Sequence, residues 1–211
     1  MGLDMYFVGN KTLSAYKKKE KLYIDYFNTL NEPDMDTEEG LFISQYWGNG
    51  AVMTQVLKSL PKLDGQMGDV STVRKINGEY VISTEVMYWR KANQIHDWFV
   101  KYVQDGIDDC TRYTVEKHHL IDLQERISFI LAGIKFPASK QMYNEKNKWE
   151  APQSNLWLAQ KLLPCSNGFF FGNTDYNKWY FDDLRNTKKF LRSVLKKSTQ
   201  ANWTFEYHSS W

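Results

Sequence analysis

Cysteine is nearly missing from this sequence, with Cys110 and Cys165 the only two in 211 residues. Two are too few for a disulfide framework, and neither stands at metal-ligand spacing, so no metal site is expected. Both read as reduced thiols of a cytoplasmic protein, with a single bridge between them left open. An excess of one charge sign is also lacking: 27 basic residues face 25 acidic ones, for a net charge of +2. That balance gives no electrostatic reason for a nucleic-acid partner or an anionic membrane surface. Long apolar runs are absent too, and none approaches the roughly eighteen residues that would cross a bilayer. The opening Met1-Gly2-Leu3-Asp4-Met5-Tyr6 has no basic export region. Gly2 lacks the hydroxyl residue that an acylation signal carries at position six, where Tyr6 stands. No repeat or low-complexity tract occurs. No cofactor-binding, metal-binding or nucleophile motif is found either: GxGxxG, the Walker pattern, HExxH and GxSxG are all missing.

Aromatic residues are what the chain has in plenty. Eight Trp, thirteen Tyr and twelve Phe make up 16% of it. Such side chains supply buried area, and a few on a surface supply stacking faces for flat ligands. A chain of this length buries roughly 70% of its unfolded surface, enough for one domain without staples.

The hydrophobic pattern predicts an α+β fold, a single domain over 1–211 with a mostly antiparallel sheet that includes both terminal strands. Gly2–Val8 alternates as a first strand and Leu22–Phe27 reads as a second. The acidic stretch 32–40 reads as an exposed loop, Leu41–Trp47 as a strand and Ala51–Leu60 as a short helix before Pro61. Val70–Ile76 and Tyr80–Val86 flank Asn77-Gly78, the strongest hairpin signal in the chain. Long helices are expected near 89–104, 115–132 (capped by Thr114) and 176–197 (capped by Thr174 or Asp175). Cys110–Val115 reads as extended and Asn155–Leu163 as a short helix. Gly168–Gly172 reads as a buried strand, Trp179 as a buried helix position, and Trp203–Tyr207 as the closing strand. The ranges 11–67 and 138–152 look like local elaborations.

The densest polar-aromatic stretch runs from Glu85 to Phe99. On a helix, three- and four-residue spacing would bring Trp89, Asn93 and His96 together, with Arg90 beside Asn93. Arg offers a planar fork, Asn an amide edge and Trp a flat face, the residue types a polar flat ligand needs. The plainer reading is that Asn93 and His96 bond to a neighbouring loop. If the protein is an enzyme, His96 is the candidate acid/base, with Asp97, Glu85 or Asp4 as helpers. His118 and His119 point about 100° apart on a helix and make a poor metal pair. Asn173–Tyr176 could offer backbone N–H groups to an anion, but Asp175 opposes this and ordinary capping is the reading taken. The lysine clusters at 17–19 and 188–197 read as solvated helix faces.

Four segments carry a resemblance: the opening MGLDMY, the central WRKANQIHDWF, GFFFGNTDY before a helix, and the closing Tyr-x-Ser-Ser-Trp. Together they resemble a family of small proteins found in phages, prophages and bacterial genomes. The resemblance brings no activity with it. It implies an accessory protein of a mobile element, a context in which small proteins counter host defence by sequestering a nucleotide signal, cleaving it or blocking a host enzyme. The expected function is therefore non-catalytic binding of a small nucleotide-like ligand. Asp4, Tyr6, Trp89, Arg90, Asn93 and His96 would line the site, and Tyr207 or Trp211 would close it. A nucleotide-processing enzyme using His96, and a protein that inhibits a host factor, stay open. Self-association stays open too.

Overall fold

The structure, a computed structural model, describes residues 2–29, 41–44, 70–136, 150–168, 171–196 and 203–211. The acidic stretch 32–40, the Ala51–Leu60 helix, the end of the 41–47 strand and most of the 138–152 elaboration lie outside them. The fold is α+β. Its strands are β1 (Asp4–Thr12), β2 (Leu41–Ser44), β3 (Val70–Ile76), β4 (Glu79–Arg90), β5 (Tyr113–Thr114) and β6 (Thr204–Ser210). They hydrogen-bond in the order β2-β3-β4-β1-β6-β5, so the first and last strands are neighbours. The helices among the described residues are α1 (Lys18–Thr29), α2 (Asn93–Tyr102), α3 (Lys117–Ile130), α4 (Gln153–Leu162) and α5 (Lys178–Val194).

The chain divides into two compact units. One holds residues 1–5, 89–192 and 208–211, and the other holds 6–88 and 193–207. In the second, β2, β3 and β4 form an antiparallel meander. Its hairpin turn has Asn77 at φ 51° and Gly78 at φ 81°, the double positive φ that a two-residue turn between twisted strands requires. Phe7 stacks on Phe205, and Val73, Ile82, Val86 and Tyr207 are buried in the same unit. A side chain at position 9 would lie 3.0 Å from the Trp203 ring, so Gly9 lets the indole pack directly on β1.

One expectation fails in this unit. Leu22–Phe27 is part of α1 and not a strand. A six-residue apolar run fits either period, and Tyr23, Tyr26 and Phe27 also satisfy helical spacing. Glu20 decides the local fold by taking the Ser14 backbone N–H at 2.8 Å, which ties off the turn before the helix.

The first unit is mainly helical. Trp98, Phe99, Leu120, Leu123 and Ile127 are buried in it. Its starts differ from expectation. β4 continues through Trp89 and Arg90, and Lys91 at φ 58° turns the chain straight into α2 at Asn93. Helix α3 begins after Glu116, not Thr114. The Glu116 carboxylate takes the His119 backbone N–H, while the Glu116 N–H donates to His119 Nδ1 at 3.1 Å. The capping box thus uses histidine in the place usually held by Glu or Gln. Asn177 caps α5, its Oδ1 accepting the Trp179 N–H at 2.9 Å. Trp179 is exposed, with Lys178 Nζ 4.1 Å from its ring centroid.

The described residues of 168–172 form no strand. The carbonyls of Phe171 and Asn173 are occupied by a side chain instead of a neighbouring strand.

Candidate functional site

Within the first unit, the polar stretch that the sequence singled out is satisfied by its own loops. Asn93 opens α2 and is buried. Its Nδ2 donates to the carbonyls of Phe171 (3.1 Å) and Asn173 (2.8 Å), and its Oδ1 accepts the Ser166 N–H (3.2 Å). Ser166 Oγ returns a bond to the Asn93 carbonyl at 3.3 Å. One carboxamide therefore pins both ends of the 166–173 loop. Gly172, at φ 89°, lets that loop lie against Lys91, since a Cβ there would sit 3.2 Å from the Lys91 Cβ.

His96 is buried, with Nε2 3.0 Å from Asp108 Oδ2 and its ring edge-on to Phe171 at 4.9 Å. Asp108 Oδ1 also accepts the Trp211 indole N–H at 3.1 Å, which ties the last residue to this pair. Trp89 is not on the helix. It is a core residue between Phe99 and Phe190, and its Nε1 donates to Thr187 Oγ1 at 2.8 Å. Arg90, with 63% of its side chain exposed, reaches only to 3.9 Å from Asp4. Of the expected site residues in this unit, Asp4 and Arg90 therefore meet, as do His96 and Trp211 through Asp108, while Trp89 and Asn93 serve packing and loop anchoring.

Two further groups have unusual chemistry. Burial pushes the Cys165 thiol up to about 11, against the pull of Tyr176, so it stays protonated at neutral pH and is a poor nucleophile. Asp183 on α5 is mostly buried. Gln94 Nε2 donates to its Oδ2 at a long 3.4 Å. Burial raises its pKa from 3.8 to about 6, with Asp182 adding to the rise. A carboxyl with a raised folded pKa binds its proton more tightly in the folded state than in the unfolded one. Its contribution to stability is therefore full below 3.8 and is lost as pH climbs through about 6. Asp183→Asn is expected to raise stability at pH 7.5 by about 2 kcal/mol and to change little at pH 3.5. Thermal melts of both proteins at the two pH values check this; an equal gain at both would point to a cause other than ionisation.

The second unit holds the other expected aromatic residues. Tyr207 is fully buried in β6. Tyr6 on β1 meets Tyr88 on β4, with ring centroids 5.5 Å apart and planes at 50°. Tyr88 is 46% exposed, a large aromatic face held on a strand. The sequence reading passed over Tyr88 because it began the helix one residue later. Strand alternation would have revealed it, since Trp89 goes to the core and its neighbour to the opposite side.

Among the described residues, no group of three His, Cys, Asp or Glu side chains could hold a metal ion. No helix among them is long and apolar enough to cross a membrane. No family model, no curated protein and no solved structure matches the chain.

Proposed function

We propose that this protein binds a small, flat, polar ligand of nucleotide-like chemistry and does not transform it. The observation that carries this reading is the Tyr6–Tyr88 pair: two phenol rings on adjacent strands, one of them nearly half exposed. Rings fixed on strands lose little entropy when a planar group stacks on them, and stacking on an aromatic side chain is worth about 1–3 kcal/mol per base. Binding without turnover fits the rest of the molecule. The best acid/base candidate, His96, is buried against Asp108, and the Cys165 thiol is held in its unreactive form. Sequestration of a nucleotide signal, the role that the phage-family resemblance suggests, requires only such a site.

The test is a thermal-shift panel of nucleosides and of mono-, di- and cyclic nucleotides. A ligand at a hundred times its Kd stabilises by about 2.7 kcal/mol, a readily seen shift. Tyr88→Ala should weaken binding about tenfold or more, in line with the loss of one stacking face. Ligand recovered unchanged after denaturation supports sequestration, and a product would move the assignment to an enzyme. Absence of any shift across the panel would end the nucleotide reading. A protein partner held in stoichiometric amount would then favour an interaction role, for which Phe129 on α3 and Trp157 on α4 are the exposed anchors.

A further inference from the structure

Helix α3 begins with a capping box in which one partner is a titratable ring. Glu116 is the N-cap, and its carboxylate accepts the His119 backbone N–H. In return, His119 Nδ1 accepts the Glu116 N–H at 3.1 Å. A backbone N–H can only donate, so this contact fixes the state of the imidazole. Nδ1 must keep its lone pair, and the single ring proton sits on Nε2. Gln, a usual residue at this position, accepts through an oxygen that is indifferent to mild acid. Histidine gives up its acceptor as soon as it takes a second proton.

The surroundings set opposing pulls on that proton. His119 lies in the first turn of α3, where the helix dipole disfavours a cation. His118 is its neighbour, with ring centroids 4.0 Å apart, so the two imidazoles resist being charged together. Burial also favours the neutral ring, while three carboxylates favour the charged one: Glu116 at the cap, Asp122 three residues on, and Asp105 from the turn after α2. Burial and His118 prevail, which holds the His119 pKa below its ordinary 6.5. A histidine with a depressed folded pKa contributes stability that is whole above 6.5 and is lost as pH falls through the folded value.

We propose that this box is a proton-operated catch, closing the entry to α3 at neutral pH and releasing it in mild acid. It stands apart from the ligand reading above. The catch governs a junction: β5 ends at Thr114, two residues before the cap, so the box fixes how the chain passes from that strand into the helix. Val115 and Leu120 occupy the two hydrophobic-staple positions around the cap, and both are buried. The body of the helix therefore stays docked, and release is confined to its first turn. His118 is exposed, so protons reach the pair directly from solvent. Once charged, the His119 ring turns from acceptor to donor, and Glu116 and Asp122 are the carboxylates that attract it.

The experiment is an NMR titration of the full chain from pH 8 to pH 5, a range above ordinary carboxyl titration. It follows the His119 ring nitrogens and the Glu116 amide together. At pH 8 the ring should show the tautomer protonated on Nε2. On acidification the Glu116 amide proton should move upfield with the same midpoint as the His119 ring, below 6.5. Each pH unit beyond that midpoint should lower the closed fraction about tenfold. His119→Gln should hold the Glu116 amide near its neutral-pH position throughout, because the carboxamide oxygen still accepts. His118→Gln should keep the catch and move its midpoint upward, since one neighbouring charge is gone. A Glu116 amide that titrates in His119→Gln as it does in wild type overturns the proposal. So does a neutral ring protonated on Nδ1, or a His119 midpoint above 6.5. If His119→Gln fails to fold, His118→Gln decides: ring and amide midpoints that rise together support the catch, and an amide midpoint that stays behind overturns it.

Discussion

Asn93→Ala is expected to destabilise the protein by about 3 kcal/mol and to release the loop between Ser166 and Asn173. The magnitude follows from the bonds removed together. Two main-chain carbonyls and one main-chain N–H lose their partner in a single truncation. Each unsatisfied group that stays buried costs about 1–3 kcal/mol. The total stays near the lower end because the exposed part of the loop can turn to water. Hydrogen exchange supplies the local test. The Ser166 amide should exchange many times faster in the variant, whereas amides in the middle of α3, such as Leu123, should change only by the loss of global stability. Asn93→Asp separates bonding from volume: a carboxylate still accepts the Ser166 N–H but faces two carbonyls it cannot donate to, so it should be no more stable than the alanine variant. If Asn93→Ala leaves both the melting curve and Ser166 exchange unchanged, the carboxamide does not anchor this loop.

The same residue shows how much of the site could be read in advance. That Asn93 is special was legible, because a carboxamide between Ala92 and Ile95 on an apolar face must find partners. Which partners was not. They are carbonyls seventy-eight and eighty residues away, one in and one just after a Gly-Phe-Phe-Phe-Gly run whose composition suggested a buried strand. The helix boundary was missed for a related reason. Trp89 and Ala92 have helical spacing, but Lys91 takes φ 58°, a conformation that lysine composition does not announce. Moving the boundary from Trp89 to Asn93 hands Trp89 to the core and Tyr88 to the opposite face, and with it the candidate site moves to β1 and β4. Local signals with one strong cause did carry through. Asn77-Gly78 produced its hairpin, with both residues at positive φ.

Glu20→Gln should cost about 3 kcal/mol at pH 7, by stranding Lys11. The Lys11 side chain is 4% exposed and its Nζ lies 3.0 Å from Glu20 Oε1, itself only 13% exposed. Removing one member of a buried pair leaves the other charge uncompensated, which costs about 3–5 kcal/mol. Gln can still accept the Ser14 N–H, so the loss is mainly electrostatic. The double variant Lys11→Met, Glu20→Gln should recover most of it, because replacing both partners removes the stranded charge. The pH dependence gives an independent check. Burial alone would raise the Glu20 pKa, but the Ser14 N–H bond and the Lys11 and Lys17 charges outweigh it, so the net shift is downward from 4.5. A carboxyl with a depressed folded pKa contributes stability that is present above 4.5 and is lost as pH falls through the folded value. Wild type and Glu20→Gln should thus differ most at neutral pH and converge in acid, where both carry a neutral side chain at position 20. Urea titrations at pH 7 and pH 3 measure the two gaps. A gap of equal size at both would mean that Glu20 acts through packing, and a double variant no more stable than Glu20→Gln would mean that Lys11 does not depend on it.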